Sequence, residues 1–518
     1  MLVDARTVPA NKVLESDVCI VGAGAAGITL AREFIGKPFR VCLLESGGFD
    51  FEEKTQDLYR GDNAGFHVPL GVARLRYFGG STNHWGSYCR PLDEIDFETR
   101  DWVPHSGWPF KKSELDPYYE RAQAICQLGP YQYDPQFWQT NTRAPLPLAS
   151  NRVVTTIFQM REPALRFGAV YRDEIVKAGN VTTLLRANLL SLDTYAGDQA
   201  VKRARVGCIE GNHFSINAKL FILATGAIEN ARLLLLSKGA GRDGLGNQNG
   251  LVGRFFMSHA LCKPGLFLPS DPLIPATLYL YETPATGTLK FIGHLTLSPE
   301  TQRQNRLLNF NASLKFPVPV ARTGLLSAKR LVNREFDTLA KDLRNVIADM
   351  DGVAAAAYWK IRRGMVPVEA FSTTCAIEQC PNPDSRVTLT SERDALGQQR
   401  VRLEWRLTTV DKNTLRRSLE IIGAELGRAA LGRLKIDLDK TDNAWPEIVQ
   451  DGGHHIGTTR MHVDPKQGVV DGHCRVHGVA NLFIAGSSVF PTSGHANPTL
   501  TIVALALRLA AHVKRLMT

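Results

Sequence analysis

The segment Asp17-Val18-Cys19-Ile20-Val21-Gly22-Ala23-Gly24-Ala25-Ala26-Gly27 predicts a nucleotide-binding turn near the N-terminus. Its first half is a short apolar run typical of a buried strand, and its second half has glycines in the spacing GxGxxG. The first glycine allows the tight turn, the second lets a pyrophosphate approach the backbone, and the third lets the next helix pack closely on the strand. The phosphates would then lie at a helix N-terminus, where free amides favour negative charge.

The residues that follow this turn complete a βαβ unit. A helical stretch runs through Phe34, and the apolar strand Val41-Cys42-Leu43-Leu44 ends at Glu45, about twenty residues after the turn. A carboxylate at this place can accept a hydrogen bond from a ribose hydroxyl. GxGxxG alone is a weak signal, but strand, helix and acid together make it strong. We therefore predict that a dinucleotide contacts Gly22, Gly24, Ala25, Ala26, Gly27, Glu45 and Ser46.

Further pieces of the same domain lie far along the chain. Apolar strands end at Ala224-Thr225-Gly226 and at Gly486, and a terminal helix follows Pro498. We predict an α/β fold with a discontinuous Rossmann-like nucleotide-binding domain over residues 1–105, 175–262 and 451–518. The stretches between them alternate apolar and polar residues as strands do. They predict a β-sheet-based α+β substrate domain over 106–174 and 263–450, with a basic helical insertion near 321–365.

Composition and cysteine usage indicate an ordinary globular protein. The 518 residues suggest two or three domains, and 44% of them are hydrophobic and 22% charged. The nine cysteines are an odd number without CxxC spacing, so we expect neither a disulfide framework nor a metal site. Residues 1–15 lack an apolar leader, and no uncharged apolar run reaches the length of a membrane span. These features predict a cytoplasmic protein.

The net charge of +10 is concentrated in one segment. Residues 301–365 contain twelve Lys or Arg and five Asp or Glu, a balance of +7. The favoured interpretation is the solvated face of a helical insertion. A docking patch for an anionic membrane, a polyanionic substrate or an acidic redox partner is the alternative. Nucleic acid is a poor candidate because the segment has no binding module and few aromatic residues.

Two motifs near the C-terminus carry the candidate chemistry. They are His454-His455-Ile456-Gly457-Thr458 and Gly494-His495-Ala496-Asn497-Pro498-Thr499. A neutral imidazole can take a hydroxyl proton near physiological pH, and an amide beside it can orient the hydroxyl oxygen. Asn497 followed by Pro498 also predicts an N-cap and the first residue of a helix.

With the loop Gly79–Gly86, these segments resemble the glucose–methanol–choline (GMC) oxidoreductases over essentially the full chain. The glycine turn, the GGxxxH loop, Ala224-Thr225-Gly226, the HxxGT segment and the NPT helix occur in the family's order. Within the family the chain is most similar to pyranose oxidases and to bacterial glycoside or sugar-hydroxyl oxidoreductases. The resemblance implies that FAD is the cofactor, that the discontinuous domain binds it, and that a β-rich domain binds the substrate.

The resemblance also assigns roles to individual residues. His454, rather than His455, matches the family's general base, and Asn497 matches its partner, a position that is His or Asn in the family. Hydride would pass to flavin N5 from the carbon that bears the deprotonated hydroxyl. The further FAD contacts are Gly79, Gly80, Ser81, Asn83, His84, Trp85, Gly86, Ala224, Thr225, Gly226, Gly486, Ser487, Asn497, Pro498 and Thr499.

His84 has two interpretations that stay open in the sequence. In family members with covalent flavin a histidine follows the paired glycines at this spacing, and pyranose oxidases place a tryptophan next, as Trp85 is here. A histidyl link would raise the flavin potential. Alternatively, His84 hydrogen-bonds the flavin or a phosphate without attachment. For the substrate, we expect contacts from Glu378, Gln379 and His455.

The predicted function is therefore FAD-dependent oxidation of a hydroxyl group in a sugar, glycoside or sugar-containing metabolite. Oxygen, a quinone, an artificial acceptor or a haem protein could reoxidise the flavin. One alternative is the catalytic subunit of a dehydrogenase complex that passes electrons to a partner. A lyase with structural FAD is a second alternative, and it predicts a flavin that no alcohol reduces.

Overall fold

The computed structural model describes residues 1–139, 144–238, 243–271, 288–317, 323–334, 336–363, 370–438, 445 and 449–518. Its strands in chain order are β1 Leu2–Asp4, β2 Val13–Glu15, β3 Val18–Val21, β4 Val41–Leu44, β5 Gly61–Gly65, β6 Val153–Arg161, β7 Val181–Leu185, β8 Asn188–Thr194, β9 Val201–Gly207, β10 His213–Asn217, β11 Leu220–Leu223, β12 Ala260–Pro269, β13 Leu289–Leu297, β14 Phe310–Pro317, β15 Phe371–Ile377, β16 Arg386–Arg393, β17 Gln399–Trp405, β18 Gly432–Ile436, β19 Gln450–Asp451 and β20 Leu482–Ile484.

The α-helices in chain order are α1 Ala25–Phe34, α2 Glu53–Gln56, α3 Glu94–Phe97, α4 Asp116–Ile125, α5 Phe167–Lys177, α6 Ala227–Leu236, α7 Pro299–Asn305, α8 Thr323–Val332, α9 Leu339–Ala348, α10 Met350–Arg363, α11 Thr409–Arg428 and α12 Thr499–Met517. The longest, α11, begins in a capping box in which Thr408 and Asp411 bond each other's backbone amides.

A six-stranded parallel sheet in the order β1-β7-β4-β3-β11-β20 forms the nucleotide-binding side of the fold. Every residue of β3 and β4 is buried, as expected for parallel strands that are covered on both faces. The strands come from the first 45 residues, from the middle of the chain and from its C-terminal part. The structure therefore has the mixed α/β fold with a Rossmann-like parallel sheet that the sequence predicts.

A separate antiparallel sheet has the order β18-β12-β15-β14-β13-β6, with β19 paired to β12. Burial alternates along β15, which is typical of a strand with one face on a core. Helix α11 packs on this sheet. Two smaller sheets, β2-β10-β9-β8 and β16-β17-β5, complete the strands of the described residues.

The basic segment, predicted as a helical insertion near 321–365, contains three helices. Helix α8 ends at Val332, α9 begins at Leu339, and Asp349 separates α9 from α10. Part of the predicted insertion, residues 321–322, 335 and 364–365, lies outside the described residues.

The nine cysteines are all buried and unbonded. Among the described residues, no helix is both long enough and apolar enough to cross a membrane.

Candidate active site

The glycine turn between β3 and α1 has the close contacts that its sequence spacing predicts. Gly22 has φ +100°, and a Cβ there would lie 2.7 Å from the carbonyl oxygen of Ala224. A Cβ on Gly27 would lie 1.8 Å from the Gly22 carbonyl, so α1 packs on the strand only without a side chain there. A Cβ on Gly24 would meet no protein atom within 4 Å. The second glycine therefore leaves open space for a ligand at the helix N-terminus.

This space belongs to a cavity of about 590 Å³ at the C-terminal ends of the parallel strands. The size and the position suit a nucleotide cofactor. The cavity is lined by most of the residues predicted to contact FAD, namely Gly22, Gly24, Ala25, Ala26, Glu45, Ser46, Gly80, Ser81, His84, Trp85, Gly86, Ala224, Thr225, Gly226, Gly486, Ser487, Asn497, Pro498 and Thr499.

Three predicted contacts do not line the cavity. Gly27 packs under the glycine turn, as described above. Gly79 adopts a left-handed conformation with φ +101°, and Asn83 donates from Nδ2 to the Phe78 carbonyl at 2.9 Å. Gly79 and Asn83 thus stabilise the conformation of the GGxxxH loop.

Glu45 is held rigidly at the end of β4. Its Oε2 accepts from the Ala23 amide and its Oε1 from the Gly47 amide, both at 3.0 Å. The carboxylate thus braces the glycine turn and also lines the cavity. Oε1 also accepts from Ser46 Oγ at 3.2 Å, whereas Oε2 keeps a lone pair, so both tasks are compatible.

His454 and Asn497 meet on the wall of the same cavity. Asn497 Nδ2 lies 3.1 Å from His454 Nε2. The predicted cap role of Asn497 is not what the structure shows, because Pro498 is the N-cap of α12 and no side chain caps it. The Asn497 amide is turned toward the imidazole instead.

A second histidine fixes the tautomer of His454. His259 Nε2 lies 2.8 Å from the carbonyl oxygen of Gly494, which can only accept, so neutral His259 carries its proton on Nε2. His259 Nδ1 then accepts from His454 Nδ1 at 2.8 Å. The proton of His454 is therefore on Nδ1, and its Nε2 lone pair faces Asn497.

Burial keeps both imidazoles neutral. It lowers the pKa of His259 to about 4, and it lowers the pKa of His454 to about 3, with a further decrease from His259. At neutral pH, His454 Nε2 is therefore unprotonated and can accept a proton.

Asp451 and His455 form a second pair on the cavity wall. His455 Nε2 lies 3.3 Å from Asp451 Oδ2, and Ser258 Oγ donates to Asp451 Oδ1 at 2.5 Å. Burial would raise the pKa of Asp451, but the hydrogen bonds from His455, Ser258 and the Gly453 amide lower it to about 2. An anion next to His454 results.

The GGxxxH loop is anchored through Trp85, whose Nε1 donates to the Leu165 carbonyl at 2.5 Å. His84 is exposed on this loop and lines the cavity. Desolvation and then the charge of Arg166 lower the pKa of His84. Among the described residues its ring makes no hydrogen bond.

Buried guanidinium groups on the cavity wall were not predicted from the sequence. Arg74 and Arg76 both contact Glu229, at 3.0 and 3.3 Å. Burial would raise the pKa of Glu229, but Arg232, Arg76 and Arg74 outweigh it and hold the pKa at about 2. The Nε atoms of Arg74 and Arg76 are buried without a hydrogen-bond partner. Unpaired donors of this kind suit an acceptor-rich cofactor.

Glu378 and Gln379, expected to bind substrate, are not brought to the cavity. Glu378 is fully buried and accepts two hydrogen bonds from Arg100, at 2.6 and 2.9 Å. Gln379 Oε1 accepts from the Ser258 amide and from Trp405 Nε1. Both side chains are therefore held in hydrogen bonds inside the protein. His455 does line the cavity, with its ring committed to Asp451.

Comparisons with known proteins agree with this arrangement. Residues 381–506 match the family model described as GMC oxidoreductase. The chain is 25% identical to 6'''-hydroxyparomomycin C oxidase of Streptomyces lividus, over 95% of this chain and 90% of that protein. It is 23% identical to the fructose dehydrogenase large subunit of Gluconobacter japonicus, over 96% of this chain and 98% of that protein.

Among solved structures, the chain is similar to pyridoxine 4-oxidase from Mesorbium loti. The TM-score is 0.56 at 17% identity, and the match covers 96% of this chain and 99% of that one. This similarity supports the fold. The glycine turn, the open cavity and the unpaired buried donors fit FAD, and the C-terminal match covers His454 and Asn497. The C-terminal region of the chain matches the GMC oxidoreductase family, and the chain is an FAD-dependent oxidoreductase.

Proposed function

We propose that the chain oxidises a hydroxyl group of a sugar, glycoside or sugar-containing metabolite to a carbonyl group, with His454 as the general base. The observation that carries the proposal is the His454–Asn497 pair on the wall of the FAD-sized cavity. The Nε2 atom of His454 carries no proton at neutral pH, and it lies beside the amide donor of Asn497. FAD, when bound, supplies a hydride acceptor.

The two side chains have separate tasks in this proposal. Asn497 Nδ2 donates to the substrate oxygen in place of His454 Nε2, which frees the single lone pair of that nitrogen. His454 Nε2 takes the hydroxyl proton as the carbon is oxidised. The His454 ring is then an imidazolium, and its Nδ1 proton stays bonded to His259. The nearby Asp451 charge favours this protonated form.

The relatives support a sugar-like substrate. One is named as an oxidase of a hydroxyparomomycin and another as a subunit of a fructose dehydrogenase. The two names differ in the electron acceptor they imply, because one specifies an oxidase and the other a dehydrogenase subunit. The buried, unbonded cysteines favour a reducing compartment for the enzyme.

Anaerobic mixing with a panel of sugars, glycosides, aryl alcohols and choline tests this function. We expect a carbohydrate to reduce the bound flavin, seen as loss of its visible absorbance. Rapid return of colour in air would identify an oxidase, and return only with a quinone or a haem protein would identify a dehydrogenase. A flavin that dithionite reduces but no alcohol does would contradict the proposal and favour a lyase.

We also infer that His84 is the point of attachment if the flavin is covalent. The support is its place on the cavity wall and a ring without a partner among the described residues. Acid precipitation of the wild-type protein and of His84→Ala tests this. Flavin that stays in the wild-type pellet and leaves the variant pellet supports a histidyl link. Release from both leaves His84 as a noncovalent contact.

A further inference from the structure

The helices α8, α9 and α10 carry an exposed apolar surface. Nineteen large apolar side chains are exposed in the described part of the chain, and eight of them lie between residues 332 and 361. We define the apolar stripe as Leu339, Leu343, Ile347 and Met350, with exposed fractions of 44%, 47%, 65% and 58%. Their spacing of four, four and three residues places the three on α9 along one side of that helix. This concentration needs an explanation.

The orientation of α9 is the reverse of an ordinary amphipathic helix. Its Asp342 is fully buried and accepts hydrogen bonds from Arg330 of α8 and from Thr338, both at 2.6 Å. Asn345 of α9 donates to Ser327 of α8 at 3.1 Å. A helix normally turns its apolar side to the core of its own protein. The polar side of α9 meets α8, and within the part of the chain that the structure describes the apolar stripe stays exposed.

Basic side chains accompany the stripe. In the described residues 323–334 and 336–363, the exposed charged side chains are six basic ones and two acidic ones. They are Lys329, Arg330, Arg334, Lys341, Arg344 and Lys360 against Asp337 and Asp351, and Arg330 is already paired with Asp342 on the polar side of α9. Long basic side chains can rest their methylene groups on apolar surface while the charge reaches a phosphate. An occupant with negative charge above an apolar layer fits this distribution.

We propose that the apolar stripe docks on an anionic membrane surface. The stripe would enter the boundary between headgroups and acyl chains, and the basic side chains would contact lipid phosphates. A second copy of the chain fits less well, because a two-fold contact would bring the same basic side chains together. An acidic protein also fits less well, since the stripe offers no polar side chain to fix a partner's orientation.

Vesicle flotation of the FAD-loaded full chain tests the proposal. We compare phosphatidylcholine vesicles with vesicles that contain about 30% phosphatidylglycerol. We expect binding to the anionic vesicles to be at least about tenfold stronger, and we expect about 0.5 M sodium chloride to weaken it by screening. Absence of binding, or equal binding to both vesicle types, would overturn the proposal.

Paired substitutions separate the stripe from the rest of the surface. The double variant Leu343→Asp/Ile347→Asp should lower binding to anionic vesicles at least about tenfold, with unchanged turnover of a soluble substrate. Val463→Asp is the matched control, because Val463 is 69% exposed and lies outside these helices. We expect it to bind like the wild type. Equal loss in both variants would show a nonspecific charge effect and overturn the assignment.

Because the double variant could unfold α9, Lys341→Glu/Arg344→Glu provides a second test. Both residues are exposed, so the substitutions leave the packing on α8 intact. We expect reduced binding to anionic vesicles only. A dimer that the Asp substitutions dissociate would assign the stripe to a second copy. Capture of an acidic protein through the stripe, without vesicle binding, would assign it to that class of partner. Either result overturns the membrane proposal.

Discussion

At the scale of single residues, the assignment of His454 as the base can be tested directly. His454→Ala removes the proposed proton acceptor and leaves the residues predicted to contact FAD in place. We expect anaerobic flavin reduction to slow by about two to four orders of magnitude, the usual contribution of a general base. The measurement is stopped-flow reduction at a saturating substrate concentration, with FAD content checked first.

His473→Ala is a suitable control for that experiment, because His473 is exposed and does not line the cavity. Its reduction rate should equal that of the wild type. If His454→Ala reduces its flavin at a normal rate, the base is another group and the proposed mechanism fails.

His259 provides a second test at the residue scale, through the tautomer it fixes. His259→Phe removes the acceptor for the His454 Nδ1 proton, so both tautomers of His454 become accessible. We expect flavin reduction to slow by about tenfold to a hundredfold, the range typical when a hydrogen-bond partner that orients a metal-binding histidine is lost. His259→Gln, which keeps an acceptor and a donor, should recover part of the rate.

A pH profile distinguishes this positioning role from a loss of packing. The lowered pKa of His454, about 3, keeps the base active above that pH, and activity is lost as pH falls through it. The wild-type acid limb should therefore lie well below 6.5. Because His259 contributes to the lowering, His259→Phe should move the limb upward. A slower variant with an unmoved acid limb would leave His259 a structural residue only.

The sequence predicted His454 and Asn497 but could not predict His259. The first two stand in local motifs whose residue types and spacing carry chemical meaning. His259 precedes β12 without any motif and lies 195 residues from its partner. Only the pairing of β12 and the fold of the C-terminal loop bring the two rings together. The same holds for Arg74 and Arg76, whose role depends on a carboxylate of α6.

At the scale of elements, two glycines of the glycine turn have different predicted roles, Gly24 in ligand contact and Gly27 in helix packing. Gly24→Ala adds a Cβ where the protein leaves open space, so the fold should persist while FAD binds at least about tenfold more weakly. Gly27→Ala forces a Cβ against the Gly22 carbonyl, so we expect loss of folded protein. Unfolding temperature and FAD titration of the apoprotein measure the two effects separately.

Gly179→Ala is the matched control, since its Cβ also meets nothing within 4 Å and it lies away from the cavity. It should change neither FAD affinity nor unfolding temperature. If Gly24→Ala binds FAD as tightly as the wild type, the prediction that the pyrophosphate contacts this turn is wrong.

Elements were predictable where one local pattern decides them. The turn, β3, α1 and β4 follow from glycine spacing and continuous apolar runs. The start of α12 was predicted one residue early, because the Asn497 amide bonds His454 instead of capping the helix. The predicted helical insertion agrees with α9, but the sequence cannot say which side of this helix faces the protein. Buried Asp342 decides that orientation through contacts with α8.

At the scale of the whole molecule, a fully buried ion pair joins parts of the chain that are 278 residues apart. Arg100 and Glu378 both have side chains with 0% exposure. Glu378 also accepts from the Asn309 amide at 2.8 Å, and Asn309 precedes β14 of the antiparallel sheet. A substrate contact was expected for Glu378, because the sequence does not show that a distant arginine neutralises its charge. Its charge has a structural partner instead.

Removing one member of this pair should destabilise the fold strongly. Glu378→Ala leaves the Arg100 guanidinium buried without its counter-charge, and we expect a loss of about 3–5 kcal/mol in the free energy of unfolding. Arg100→Met/Glu378→Leu removes both charges and should recover most of that loss. Glu98→Ala is the control, because its pair with Arg303 is exposed on both sides and should be worth about 0–1 kcal/mol. Denaturant unfolding of the holoenzyme measures all three. If Glu378→Ala is as stable as Glu98→Ala but has lost substrate affinity, then Glu378 reaches the substrate after all.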